Sequence, residues 1–212
     1  MTLDELIGPI HGRLGVLERS GDQRVTIADL TDDSRKVGPG SLFVAVQGER
    51  VDGHQFLDPV VAAGAAAVVV QRSGDVGAIS CVRVQDSRAA LGILGSRFYG
   101  DPSSSLRMIG VTGTNGKTTT TYVVKTMLEA ARRRVGLIGT VAYLVGKESI
   151  PASHTTPGAL ELQKLFARMR EARLDTVVME VSSHALALDR TAGSEFDVAV
   201  FTNLTQDHLA FH

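Results

Sequence analysis

One stretch constrains this chain more than any other: Val111-Thr112-Gly113-Thr114-Asn115-Gly116-Lys117-Thr118-Thr119, a glycine turn ending in Lys-Thr. It lies between an apolar strand pattern at 106–111 and a helical pattern at 117–132, whose buried face is expected to carry Val123, Val124, Met127 and Leu128. A turn placed there aims the unpaired N–H groups of a helix start, and the positive end of its dipole, into the bend. Each such interaction with an anion is worth roughly 0.3–1 kcal/mol at an exposed site. Gly113 and Gly116 allow the backbone to curl without Cβ clashes. Lys117 is long enough to meet the outer phosphates of a nucleoside triphosphate, and the Thr118 hydroxyl suits magnesium. The general phosphate-loop pattern asks for a glycine where this chain has Val111, with Gly110 one place too early, so only the shorter Gly-x-x-Gly-Lys-Thr form is present. Thr118, Thr119, Thr120 and Thr121 are poor helix formers. Four hydroxyls at a helix start suit a polar ligand better than packing.

With 212 residues and 43% apolar content, the chain is long enough for one large core or two modest ones. Lys and Arg total 22 against 23 for Asp and Glu, so no global field points to nucleic acid or an acidic membrane. Any anion site must be local. The start, Met1-Thr2-Leu3-Asp4-Glu5-Leu6-Ile7, has acids where a secretory leader is basic. No apolar run approaches the ~20 residues of a membrane span. A cytoplasmic monomer acting on small molecules is expected, without nucleic-acid or membrane partners. The single cysteine, Cys81, excludes an internal disulfide and reads as a small buried hydrophobe in the run Ile79 to Val84.

Gly100-Asp101-Pro102-Ser103-Ser104-Ser105 reads as a linker between two blocks, giving domains at 1–102 and 106–212. The first block has strand patterns at 25–28, 42–46, 67–70 and 81–84 and helical ones at 55–63 and 87–99. The second has strands at 106–111, 135–140, 176–181 and 198–202 and helices from 117 and over 157–172. Alternating elements with near-continuous apolar strands predict the α/β class, each block built on a mostly parallel sheet.

Ligands of such sheets collect beyond the carboxyl ends of the strands. Those ends carry Thr112 and the glycine loop, Thr140, Glu180-Val181-Ser182-Ser183-His184, and Thr202-Asn203 leading to Asp207-His208. Glu180 stands where nucleotide hydrolases place a carboxylate near the metal; its bland alternative is a solvated strand-end acid. His184 and His208 are each either structural or ligands. His208 and His212 have the i, i+4 spacing of zinc ligands on a helix, but no third ligand is in view. Thr156 and Pro157 read as N-cap and first residue of a helix, a role that leaves Thr155 and Thr156 free to donate to a substrate as well. Arg190 is either a surface charge or a guanidinium for a carboxylate or phosphate.

Taken together, these strings resemble the Mur ligases, ATP-dependent enzymes that add amino acids to the UDP-N-acetylmuramic acid precursor of the bacterial cell wall. The likeness runs through Asp33-Ser34-Arg35, Phe43-Val44-Ala45, Asp52-Gly53-His54, the glycine loop, Thr155-Thr156-Pro157, Glu180-Val181-Ser182-Ser183-His184 and Phe201-Thr202-Asn203-Leu204. The last two strings are similar to the branch that adds a diamino acid, and set the chain apart from MurF-like siblings. The resemblance implies a UDP-sugar-binding α/β domain, followed by the first part of a P-loop-type ATPase domain. The resemblance also leads one to expect a C-terminal amino-acid-binding domain that this stretch of sequence does not include. It implies ATP at Gly113, Thr114, Asn115, Gly116, Lys117, Thr118 and Thr119, with Lys117, Glu180 and His208 catalytic. Thr118 and Glu180 would hold one Mg2+ and His208 a second. Ser34, Glu49, Arg50 and Val51 would bind the nucleotide sugar, and Thr155, Thr156, Ser182 and Arg190 its muramoyl-dipeptide end. The reaction implied joins meso-diaminopimelate or L-lysine to UDP-N-acetylmuramoyl-L-alanyl-D-glutamate through an acyl phosphate, and the fragment alone is expected to be inactive. Leu188, His154 and Ala210 depart from the family pattern. A non-catalytic nucleotide-sugar-binding module, a folate polyglutamate ligase and a plain P-loop hydrolase are the competing readings.

Overall fold

The computed structural model describes residues 1–48, 51–72 and 76–206. The chain divides into two compact units, Met1–Phe98 and Tyr99–His212.

The first unit opens with α1 (Leu3–Ile7), closed by a reciprocal cap in which the Thr2 hydroxyl accepts from the Glu5 N–H and the Glu5 carboxylate from the Thr2 N–H. There follow α2 (His11–Leu14), β1 (Val16–Ser20), β2 (Asp29–Thr31), β3 (Ser41–Val44), α3 (Leu57–Ala62), β4 (Ala67–Val70), β5 (Ser80–Val84) and α4 (Ser87–Phe98). The sheet order is β1-β5-β4-β3-β2, with β2 to β5 parallel and β1 antiparallel to β5. Phe43, Val68, Val70 and Cys81 pack with Val60 of α3 on one face. Alternation sends Leu42, Val44, Val69 and Val82, also buried, to the other. A sheet buried on both faces explains the unbroken apolar strands.

Two strands of this unit differ from the sequence expectation, which also names neither α1 nor α2. The strand expected at 25–28 lies at Asp29–Thr31, because Val25 and Ile27 spend backbone bonds on the N-terminal segment, from Leu3 N–H to Val25 O and from Ile27 N–H to Met1 O. β1 carries no apolar run, since it is an edge strand with mostly exposed residues.

The second unit contains β6 (Arg107–Thr112), α5 (Lys117–Ala130), β7 (Val135–Ile138), β8 (Ala142–Val145), β9 (Glu148–Pro151), α6 (Ala159–Glu171), β10 (Thr176–Glu180), α7 (Ser183–Ala187) and β11 (Val198–Phe201). The order is β11-β6-β10-β7-β8-β9; the first four are parallel, and β8 and β9 are added antiparallel. On one face α6 packs Leu162, Leu165, Phe166 and Met169 against Met108, Ile138, Tyr143, Val177 and Met179. On the other, Val124 and Leu128 of α5 meet Ile109, Val111, Val135 and Val178.

Here too the structure corrects details. Val123 and Met127 of α5 are exposed, so the buried stripe is Thr121, Val124 and Leu128, at the spacing of one helical face. The segment read as a linker is a 3-10 turn at Pro102–Ser105 folded into the second unit, with Ser103 buried and its hydroxyl accepting from the Glu195 N–H. Helix α6 begins at Ala159 with Gly158 as N-cap, so Thr156 does not cap it. The β8–β9 hairpin is absent from the sequence expectation, although Gly146 at φ 62 supplies the turn. Among the described residues, no helix is long and apolar enough to cross a membrane.

Candidate functional site

The glycine loop follows β6 and leads into α5, the strand-turn-helix context that the sequence implied. Gly113 has φ 126, and a Cβ there would stand 2.2 Å from the Thr202 hydroxyl and 2.9 Å from the Asn203 carbonyl oxygen. Only glycine fits so close to the end of β11. Gly116, at φ 83, is the N-cap of α5, and among the described residues no side chain caps the helix. Its first-turn amides are orphans by helix geometry and point into the bend. The 14 residues of α5 give the dipole its full effect there.

The loop is tied to β11 rather than left free. Thr114 N–H donates to Asn203 O at 3.0 Å, Asn115 N–H to Asn203 Oδ1 at 3.1 Å, and Asn203 Nδ2 to Asn115 O at 3.0 Å. The Thr202 hydroxyl reaches Asn115 O at 2.7 Å, and Thr205 N–H reaches the Thr114 hydroxyl at 2.9 Å. Lys117 folds over the turn, its ammonium donating to Gly113 O at 2.7 Å and Thr114 O at 3.0 Å. Carbonyls thus hold the charge beside the amides. Thr119 lies exposed in the first turn of α5.

Strand register sets the next group. Glu180 pairs with Val111, which places its carboxylate level with the start of the loop. It is 1% exposed. Thr118 Oγ1 donates to Glu180 Oε2 at 3.0 Å, Thr140 Oγ1 to the same oxygen at 3.2 Å, and the Thr140 N–H to Oε1 at 3.0 Å. Among the described residues, no cationic side chain pairs with this carboxylate. A buried anion held by hydroxyls and an amide is short of positive charge. The same residues do not form a protein cage: no group of three His, Cys, Asp or Glu gathers among those described. One carboxylate and one hydroxyl suit Mg2+, which keeps waters and takes substrate phosphates as ligands. They do not suit a structural zinc.

Around the Glu180 backbone sit the other expected residues. Thr156 is fully buried; its hydroxyl donates to Glu180 O at 2.8 Å and accepts from Ser182 N–H at 3.0 Å. It therefore braces the strand end, and its hydroxyl is committed there. Arg190 donates to Thr156 O at 3.0 Å, and Ser182 caps α7 by accepting from Ala185 N–H at 3.2 Å. The half-buried Thr155 places its hydroxyl 3.0 Å from that of Thr140. Lys117, Thr118, Thr155, Thr156, Glu180, Ser182 and Arg190 thus gather at the carboxyl end of one sheet. His208, Ala210 and His212 lie outside the described residues, as do Glu49 and Arg50. Of the departures within reach, His154 is exposed and Leu188 is the half-buried C-cap of α7.

The sequence reading places Thr140, Thr202 and Asn203 among the polar strand ends but assigns them no role, and it does not name Thr205. The first three lie at strand ends, which was the available signal; Thr205 carried none.

In the first unit, Ser34 begins a 3-10 turn at Ser34–Lys36 whose N-cap is Asp33. Arg35 grips both Asp33 oxygens, at 2.8 and 2.9 Å, and those bonds hold the carboxyl at a pKa of about 2. Val51 is half exposed. Asp52 Oδ1 accepts from the His54 N–H at 3.0 Å and lies 2.7 Å from His54 Nδ1, while Oδ2 accepts from Arg72 at 2.9 Å. His54 Nε2 accepts from Gln71 N–H at 3.0 Å, which fixes the neutral ring with its hydrogen on Nδ1, facing Asp52. These bonds lower the Asp52 pKa, the His54 N–H first. Gly53 leaves room for nothing larger, since a Cβ would meet Val46 N and O at 2.8 Å. Beside this loop a polar cleft of about 250 Å³ opens between Gln47, Gly48, Gln71, Asp86 and Arg88, at the carboxyl ends of β3, β4 and β5.

Comparison with known proteins shows the family. A family profile described as Mur ligase middle domain matches residues 111–212, and one described as Mur ligase family, catalytic domain, matches 26–99. A UDP-N-acetylmuramoyl-L-alanyl-D-glutamate–2,6-diaminopimelate ligase from Alkaliphilus metalliredigens is 48% identical over 200 residues, covering 94% of this chain and 40% of the relative. A solved structure of a ligase of that description matches with a TM-score of 0.83 at 27% identity, over 100% of this chain and 42% of its own. A MurF ligase from Thermotoga maritima in complex with ADP matches with a TM-score of 0.55 at 25% identity, over 88% and 39%. The chain thus spans about two fifths of the length of the relatives it matches.

Proposed function

Because the chain belongs to the Mur ligase family, we propose that it supplies the UDP-sugar-binding and ATP-binding parts of a ligase joining a diamino acid, diaminopimelate, to UDP-N-acetylmuramoyl-L-alanyl-D-glutamate. The observation that carries this is the buried Glu180 carboxylate beside Thr118 and an uncapped helix start, held, among the described residues, by hydroxyls and an amide. Helix amides and Lys117 take the triphosphate, and Thr118 and Glu180 would hold Mg2+. Bound there, Mg2+ neutralises charge on the phosphoryl oxygens. The substrate carboxylate attacks the γ-phosphorus, an O–P bond forms as the bond to ADP breaks, and the amine then displaces phosphate from the acyl carbon and loses a proton. The protein's own share is placement and charge compensation. Lys117 leaves the loop carbonyls for the phosphates, and Thr155 and Arg190 stand at the adjoining strand end for the peptidyl carboxylates. In the first unit, Ser34 and the loop ending at Val51 meet the uridine diphosphate.

Two measurements test the reading. In a full-length ligase carrying this sequence, Lys117→Ala is expected to abolish ligation, and undiminished turnover would reject the assignment. In the chain itself, calorimetry is expected to show UDP-N-acetylmuramoyl-L-alanyl-D-glutamate binding that survives Lys117→Ala. Absence of that binding in the unmodified chain would remove the sugar half of the proposal.

A further inference from the structure

We propose that Thr140 is a positioning residue for the cation site: it fixes both oxygens of the Glu180 carboxylate and so sets how that group is presented to a divalent metal. This rests on the reading of Thr118 and Glu180 as the magnesium-holding pair.

Three observations carry it. Thr140 is exposed at the carboxyl end of β7, yet it commits two donors to one buried carboxylate, its N–H to Oε1 at 3.0 Å and its hydroxyl to Oε2 at 3.2 Å. The residue before it, Gly139, is the opening that allows this: a Cβ there would stand 2.3 Å from Oε1 and 3.1 Å from the carboxyl carbon. Hydrogen bookkeeping then gives the hydroxyl a fixed direction. A carboxylate only accepts, so the one Thr140 hydroxyl hydrogen goes to Glu180. The Thr155 hydroxyl, 3.0 Å away, must therefore donate to Thr140 Oγ1. A directional chain runs from Thr155 through Thr140 to Glu180, with Thr118 donating to the same carboxylate from the other side. The rotamer of Glu180 is clamped before any cation arrives. Groups that orient a metal's carboxylate typically change metal affinity about 10- to 100-fold when removed.

The test uses the 212-residue chain with Mn2+ as a paramagnetic substitute for Mg2+ and ADP as nucleotide. Mn2+ binding is read by electron paramagnetic resonance, and ADP binding in EDTA by calorimetry. Thr140→Val keeps the β-branched shape and the backbone N–H while deleting the hydroxyl. It is expected to weaken Mn2+ binding in the presence of ADP by about 10-fold and to leave metal-free ADP affinity unchanged. Thr140→Ser is expected to restore Mn2+ affinity to within about 2-fold of the unmodified chain, because it restores the hydroxyl. Unchanged Mn2+ affinity in Thr140→Val, or equal losses with and without metal, would overturn the proposal. So would a failure of serine to rescue. If the unmodified chain binds ADP but no Mn2+ beside it, the magnesium reading itself falls and takes this inference with it.

Discussion

Two carboxylates at strand ends, Asp52 in the first unit and Glu180 in the second, have opposite surroundings. Asp52 is matched by Arg72 and by the His54 ring, and it joins the loop after β3 to the end of β4. Glu180 is more deeply buried and is met by two hydroxyls and one amide. The first arrangement is complete: a charged loop latch in which each charge has its counter-charge. The second leaves a negative charge without one among the described residues. A fold that buries an anion and surrounds it only with neutral donors is prepared to accept a cation from outside. The adjacent helix start, uncapped and beside Lys117, is prepared for the phosphates that would come with it.

The contrast can be broken most forcefully at the phosphate end. Lys117→Ala is expected to weaken binding of an ATP analogue to the chain by about 1.5–3 kcal/mol, roughly ten- to hundredfold, as read by calorimetry. An unaltered affinity would mean that the ammonium serves only the loop carbonyls. Gly113→Ala comes next. The added Cβ meets Thr202 and the φ of 126 becomes strained, so about 1–3 kcal/mol of stability should be lost in urea melts, together with nucleotide binding.

A sharper version compares the carboxylates directly in metal-free buffer. Asp52→Ala removes a cap and an ion-pair partner and should destabilise by about 1–3 kcal/mol. Glu180→Gln keeps the shape, and its amide finds hydroxyls able to turn and accept. Its effect on urea stability should stay within about 1 kcal/mol, because an unpaired buried charge adds little to the fold. Equal destabilisation of the two variants would erase the distinction between latch and ligand site.

The smallest effect concerns acid. The pKa of Asp33 lies near 2 in the folded chain, below its ordinary value of 3.8, because the Arg35 side chain bonds to its carboxylate. A lowered folded pKa stabilises the fold above the ordinary value, and that contribution disappears as pH falls toward the folded one. The stability difference between the unmodified chain and Asp33→Asn should therefore be constant at neutral pH, shrink below about 4 and vanish near 2. A difference that grows on acidification would reverse the assigned sign.

Much of the fold was legible because contiguous apolar runs such as Ala67–Val70 and Thr176–Glu180 leave few alternatives to a buried strand. Edge elements were not. β1 shows no apolar alternation to read, and the β8–β9 hairpin hides behind a single Gly-Lys turn. Helix α1 does carry a local signature, Thr2 three residues before Glu5, the pattern of a capping box. Of the site, the glycine loop was visible because its chemistry is local. The Thr140 contact to Glu180 spans 40 positions and exists only because β7 and β6 flank β10. The Asn203 grip on Asn115 spans 88 and depends on β11 pairing with β6. Such contacts follow from sheet order, which motif spacing does not encode. Thr156 shows the converse: its cap-like sequence position was plain, yet packing against β10 gave its hydroxyl to the Glu180 carbonyl instead.

The central claim is that loop, Thr118 and Glu180 together receive a metal-bound triphosphate. Titrating the chain with a nonhydrolysable ATP analogue, once with Mg2+ and once with EDTA, tests it most directly. The account predicts saturable binding that Mg2+ tightens in the unmodified chain and leaves nearly untouched in Glu180→Gln. Binding indifferent to Mg2+, or no binding at all, would contradict it.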